Sequence, residues 1–152
     1  MRSQSLIPDV LDYLVARLTE SMPNVLVTDG MPKPPQDQEP DLLCIGFTGE
    51  MGEPAIENTR NRQQVATHPD RETFEIANIA SSWYGNDTDI KPVRDGAYRI
   101  LNGVNDFLMK DQTLGQRVMR SRLMTDVVAQ EQTQKGAVVT IRFVIQIDAY
   151  TR

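Results

Sequence analysis

The sequence is poor in the residues that most often carry chemistry. Its 152 residues include one cysteine, Cys44, and one histidine, His68. A lone cysteine excludes an intramolecular disulfide. None is needed at this length, because a chain of about 150 residues buries roughly 70% of its unfolded surface on folding. Aromatic residues make up 6% of the chain and include a single tryptophan, Trp83. No apolar run approaches the roughly 20 residues of a membrane-spanning helix. Pro8, Asp9 and Asp12 interrupt the opening stretch MRSQSLIPDVLDYL, so a signal peptide is not expected and an intracellular product is. Positive charge is also short, with 16 Lys/Arg against 21 Asp/Glu and a net charge of −5, which argues against a bulk-basic nucleic-acid binder. The deficit lies in residues 1–70, where 5 basic residues face 11 acidic ones; residues 71–152 carry 11 and 10.

What is present reads as one α+β domain spanning 1–152. Ile7, Leu11, Leu14 and Leu18 recur at helical spacing, so residues 5–22 are expected to form an amphipathic helix. Ser5 or Ser3 is its expected N-cap, and Pro23 ends it. NVLVT (24–28) reads as a short strand closed by the turn signal Asp29-Gly30, and the proline-rich MPKPPQDQEP (31–40) as a connector. DLLCIGF (41–47) reads as a buried strand that takes Cys44 inside. Residues 48–70 show little hydrophobic pattern and read as a long loop ordered by a neighbouring subunit, with an extended piece near Thr59–Val65 as the alternative. RETFEIANIASSWY (71–84) reads as a strand with apolar groups on both faces, Phe74 and Ile76 on one and Ile79 and Trp83 on the other. Residues 90–110 form a second helix whose stripe runs through Val93, Ala97, Ile100, Leu101, Val104 and Leu108. Gly96 and Gly103 share one side of it, as if another backbone came close there. Residues 117–130 and 137–150 alternate and predict a long C-terminal β-hairpin. The expected order is α-β-β-β-α-β-β: a mainly antiparallel sheet of four to five strands, two helices on one face, and a spare, partly apolar face.

Chemistry finds few candidates in this pattern. Counted from Asp87, the positions of a calcium loop fall on Lys91 and Pro92, so no metal is expected. Gly46, Gly49 and Gly52 lack the lysine and the following helix of a phosphate-binding loop. Neither Cys44 nor His68 has a visible catalytic partner, and no cofactor is implied. The aromatic-polar stretch SSWYGNDTDIKP is read as a corner: Trp83 closes a strand and packs, Gly85 permits the turn, and Asp87 and Asp89 cap the second helix. Arg117, Arg120 and Arg122 cluster at the start of a strand; they read either as a contact for an acidic neighbour or phosphate backbone, or as a solvated face.

Several stretches in order resemble the tail terminator, or tail-completion, proteins of long-tailed bacteriophages. They are LIPDVLDYLVARL with VTDGMP, RETFEIANIASSWYGNDTD, PVRDGAYRILNGVNDFL with KDQTLG, and QKGAVVTIRFVIQIDAY. The resemblance implies a sheet with two helices against it. It implies a non-enzymatic structural protein of the virion, assembled in the host cytoplasm, that forms a six-membered ring at the head–tail junction. That ring would cap the tail tube, stop its polymerisation and present a joining surface to the connector, and genome DNA would pass through its lumen without sequence-specific contact. Expected partners are further copies of the chain, the tail tube protein and a connector or stopper protein, and not a membrane. Candidate interface residues are Arg117, Arg120, Arg122, Arg142, Gln146, Thr59, Arg60 and Arg62. Another neck protein of the same virion is the alternative; a small-ligand enzyme or binding module using Cys44 or His68 is the more distant one.

Overall fold

The computed structural model of the protein describes residues 4–32, 41–61, 70–85, 89–134 and 136–151. Helix α1 (Ile7–Ser21) is followed by strands β1 (Leu26–Asp29), β2 (Asp41–Ile45), β3 (Ile56–Asn61) and β4 (Arg71–Tyr84). Helix α2 (Ile90–Lys110) then leads to β5 (Arg120–Thr133) and β6 (Gly136–Tyr150). The order is α-β-β-β-β-α-β-β, one strand more than the sequence pattern predicts, and the sheet has six strands. It is mixed, because β1 lies parallel to β2 while every other pairing is antiparallel. Strand β2 therefore runs in the same direction as β1.

Strands β4, β6 and β5 form the backbone of the sheet. At about 3.4 Å per residue they are roughly 48 Å long, and the 14 residues of β4 pair with β6 from end to end. With one edge of β4 taken by β6, β2 and β3 share the other: β2 lies along Asn78–Ser82, and β3 along Arg71–Ile76. Between them the chain loops out at a single residue. Phe47 N–H donates to the Ala77 carbonyl, and Ala77 N–H donates to the carbonyl of Ala55. Part of the expected 48–70 loop is therefore strand, held by this chain's own β4; residues 62–69 lie outside the described residues.

The period-2 burial of the long strands separates the two faces. On β4, Glu72, Phe74, Ile76, Asn78, Ala80 and Ser82 are all buried; on β6, so are the odd-numbered positions from Ala137 to Ala149. These residues face the helices and form one core with Val10, Leu14 and Leu18 of α1 and Val93, Ala97, Ile100, Val104 and Leu108 of α2. The stripe of α2 is the one that the spacing predicts; on α1 the buried line is Leu6, Val10, Leu14 and Leu18, and the expected Ile7 and Leu11 lie beside it, only partly buried. Cys44 is buried in β2. Among the described residues no helix is long and apolar enough to cross a membrane.

The helix starts and seats differ from expectation in detail. Leu6, not a serine, occupies the N-cap position of α1, and no side chain of the cap residue bonds back. Ser5 Oγ accepts from Ile7 N–H at 3.2 Å, and the donor at Leu6 N is taken by the carboxylate of Glu72 at 2.7 Å. Helix α2 starts as expected, with Asp89 as N-cap accepting from Lys91 N–H. Gly96 and Gly103 do mark close approaches, but to side chains: a Cβ at Gly96 would lie 2.7 Å from Ser82 Oγ, and one at Gly103 2.8 Å from Met22 Sδ.

Candidate assembly surfaces

The helix-free face of the sheet carries most of the candidate interface residues, and its two ends differ. Near the N-terminal end of β4, cross-strand neighbours Thr73, Asp148 and Arg120 stand in one row. Thr73 Oγ1 donates to Asp148 Oδ1 at 2.7 Å, Arg120 Nη2 to Asp148 Oδ2 at 3.0 Å, and Arg71 lies 3.8 Å from the same carboxylate. The Thr73 hydroxyl first, and then Arg120 and Arg71, hold the Asp148 carboxyl below its ordinary range against the opposing effect of burial. The next row is Glu75, Gln146 and Arg122, in which Arg122 donates twice to Gln146 Oε1, at 3.0 and 2.8 Å.

Toward the other end the rows are mixed: Ala77 with Val144, then Ile79, Arg142 and Val127, then Ser81, Thr140 and Ala129, and finally Trp83, Val138 and Glu131. Val127 is 67% exposed and Trp83 50% exposed. Trp83 therefore does not pack as the sequence reading expects, because its place in the β4 alternation turns it away from the helices. Gly85 follows it as a bend and Asp89 caps α2; Asp87 lies outside the described residues. The hairpin turn closes against this corner. Gly136 has φ +140°, and a Cβ there would sit 2.2 Å from the Tyr84 carbonyl oxygen, so no side chain fits.

The expected spare apolar face is thus apolar only in part, and a segment of the same chain covers some of it. The loop between β2 and β3 lies over Ile79, where a Cβ on Gly49 would come within 2.9 Å of Ile79 Cδ1. It is tied to the sheet by Arg142 Nη2 to Glu53 Oε2 at 3.2 Å. The Thr48 hydroxyl keeps the Glu53 carboxyl low, while a hydrogen bond with Glu53 raises that of Glu50.

The other candidates lie elsewhere. Arg117 does not belong to β5, which starts at Arg120. It sits in the turn after α2, where Leu114 and Gln116 adopt positive φ values of 47° and 65°. The turn sends its guanidinium back over the Tyr13 ring at 4.4 Å, with Nε 3.2 Å from Asp9 Oδ2 in an ion pair. Arg117 therefore fastens the turn to α1 and does not stand beside Arg120 and Arg122. The Tyr13 hydroxyl, hydrogen-bonded to Asp111, has its pKa raised by that carboxylate. Thr59 and Arg60 lie on β3, at the opposite border of the sheet from β5. Arg60 points to the helix side, with Nε 3.8 Å from the Glu72 carboxylate. Arg62 and His68 lie outside the described residues.

Glu72 is the residue that sequence reasoning overlooked. It is fully buried and gathers Leu6 N–H, Ser5 Oγ at 3.1 Å and Asn58 Nδ2 at 3.0 Å. It thus ties α1, β3 and β4 together. The only signal in the sequence is its helix-side parity with Phe74 and Ile76.

A recess of about 700 Å³ lies between the end of α1 and α2, lined by Met22, Pro23, Asp41, Gly96, Arg99 and Gly103 among others. None of the candidate site residues borders it. Among the described residues, no group of three or more His, Cys, Asp or Glu side chains is placed to hold a metal ion. No family model matches the chain, and no curated protein matches it.

Proposed function

We propose that the chain is a non-enzymatic, ring-forming virion protein: a tail terminator of a long-tailed bacteriophage. Six copies would cap the finished tail tube, stop its polymerisation and offer the head-side connector its joining surface. The observation that carries this reading is the pair of uncovered sheet borders. Strand β5 ends the sheet on one side; on the other, β3 and β1 end it at different levels, and among the described residues none of the three has a strand along its outer edge. Open edges are templates for further pairing, and natural proteins normally blunt or cover them. Two different open borders on one subunit suit a heterologous contact, which closes into a ring when the rotation per copy permits.

The resemblance of the ordered stretches supports the same reading. So does the charge pattern on the helix-free face. Arg71 and Arg120 are compensated at Asp148, and Arg142 at Glu53. These ion pairs lower the pull of the face on a phosphate backbone, which suits a ring that lets DNA pass; Arg122, bonded to the neutral Gln146, works the other way.

Native mass spectrometry of the purified protein, alone and with tail tubes, tests the assembly, and electron micrographs of growing tubes test the role. Rings at tube ends that halt growth are the expected result. Binding to connector-loaded portals with no effect on tubes would instead favour a neck adaptor or stopper. A protein that stays monomeric and is absent from virions would remove both.

A further inference from the structure

The helix-free face hides two side chains that no helix covers. Cys44 of β2 is paired with Ile79 of β4, and directly opposed side chains of an antiparallel pair share a face. Ile79 alternates with the helix-side residues Asn78 and Ala80, so it and Cys44 stand on the helix-free face. Even so, Cys44 is 1% and Ile79 7% exposed, and neither belongs to the core under the helices. Further along the same row Arg142 and Val127 are exposed. The loop between β2 and β3 reaches Ile79 through Gly49.

We propose that residues 48–54 are a releasable strap over Cys44 and Ile79, latched to the sheet by Arg142 and Glu53. Both ends of the strap are fixed at one residue: Ala77 accepts from Phe47 N–H and donates to the carbonyl of Ala55. The strap can therefore lift while β2 and β3 keep their places on β4. Its inner bonds are its own. Thr48 Oγ1 donates to the Glu50 carbonyl at 3.2 Å and accepts from Glu50 N–H at 3.3 Å, and Glu53 N–H donates to the Glu50 carbonyl at 3.5 Å. These bonds hold the strap's shape as it moves. The latch is weaker. Arg142 Nη2 meets Glu53 Oε2 at 3.2 Å with both side chains exposed, and exposed ion pairs hold little and are screened by salt.

Lifting the strap makes the row more apolar. Cys44 and Ile79 join the exposed Val127 and the partly buried Val144 of the neighbouring row, and Arg142 loses its carboxylate. The subunit thus keeps this surface hidden while the latch holds and presents it when salt or a competing carboxylate takes Arg142. The strap needs one subunit only, so it stands whether or not a ring forms.

Cys44 reports the opening, because it is the chain's one cysteine. Its labelling by a water-soluble aromatic disulfide is expected to be slow in the wild type and about two- to fivefold faster in Arg142→Ala, the scale of one exposed ion pair. High salt should give the wild type a similar gain and Arg142→Ala none. Exchanging the charges, Arg142→Glu with Glu53→Arg, should return the rate close to that of the wild type. Gly49→Ala should give the largest gain, about tenfold or more, because φ there is +96° and the new methyl meets Ile79 Cδ1 at 2.9 Å only when the strap is closed. Hydrogen exchange is the second measurement. The Phe47 and Ala77 amides should stay protected in every variant, which separates lifting from unfolding. Equal labelling of the wild type, Arg142→Ala and Gly49→Ala would overturn the strap. So would protection at Phe47 and Ala77 that falls in step with the labelling.

Discussion

Both helices begin on a carboxylate, and the two carboxylates come from different distances. Helix α2 uses Asp89, its own preceding residue, which is exposed. Helix α1 uses Glu72, which is 66 residues away from Leu6 in sequence and fully buried in the sheet. The local cap fixes where a helix starts; the distant one also fixes where the helix lies, because the same side chain holds β3 and β4. A helix start can thus serve as a tertiary joint, and its importance then exceeds that of an ordinary cap.

Substitutions can break this contrast. The largest effect is expected for Glu72→Ala, which leaves Leu6 N–H and the Asn58 amide without their acceptor: a loss of roughly 2–4 kcal/mol in chemical denaturation. Hydrogen exchange should show α1 and β3 loosening together; protection lost in α1 alone would mean that Glu72 is only a cap. Gly96→Ala comes next. The new methyl displaces Ser82 Oγ from its 2.7 Å bond to Asp41, and a net loss of about 1–2 kcal/mol is expected despite the better helix former. Asp89→Ala should lose about 1 kcal/mol, with the effect confined to the first turn of α2. If Asp89→Ala matched Glu72→Ala in size, the distinction between local cap and tertiary joint would fail. Gly103→Ala should be the mildest, within roughly 0.5 kcal/mol of wild type in thermal melts, since the gain in helix propensity offsets the movement of a flexible Met22 side chain.

The same contrast explains which parts of the fold could be read from the sequence. Helix stripes and the alternation of β6 are local repeats, and both helices, the long hairpin and the strands β1, β2 and β4 were visible in them. Strand β3 was caught only at its end, by the extended piece expected near Thr59–Val65, because Ile56-Glu57-Asn58-Thr59-Arg60-Asn61 has one aliphatic residue and no alternation; backbone pairing to β4 makes it a strand, aided by Glu72 holding Asn58. The reading of residues 71–84 placed Phe74 and Trp83 on opposite faces correctly, yet expected Trp83 to be covered. Whether a face is covered depends on what lies above it, and a single strand does not encode that. Arg117 looked like a neighbour of Arg120 by spacing alone; the left-handed turn at Leu114–Gln116 separates them. Glu72 was missed for a related reason: a lone acidic residue in a strand reads as solvent-facing until the helix end that it receives is known.

The register shift in β5 has one more implication. A long uninterrupted edge invites endless stacking, since each added chain would gain a full ladder of backbone bonds and leave only slowly. Breaking the ladder partway keeps any single encounter weak and reversible, so misplaced copies can detach before they are trapped. In the proposed ring, durable attachment would then need several neighbours at once, which favours closed, finite assemblies over fibres.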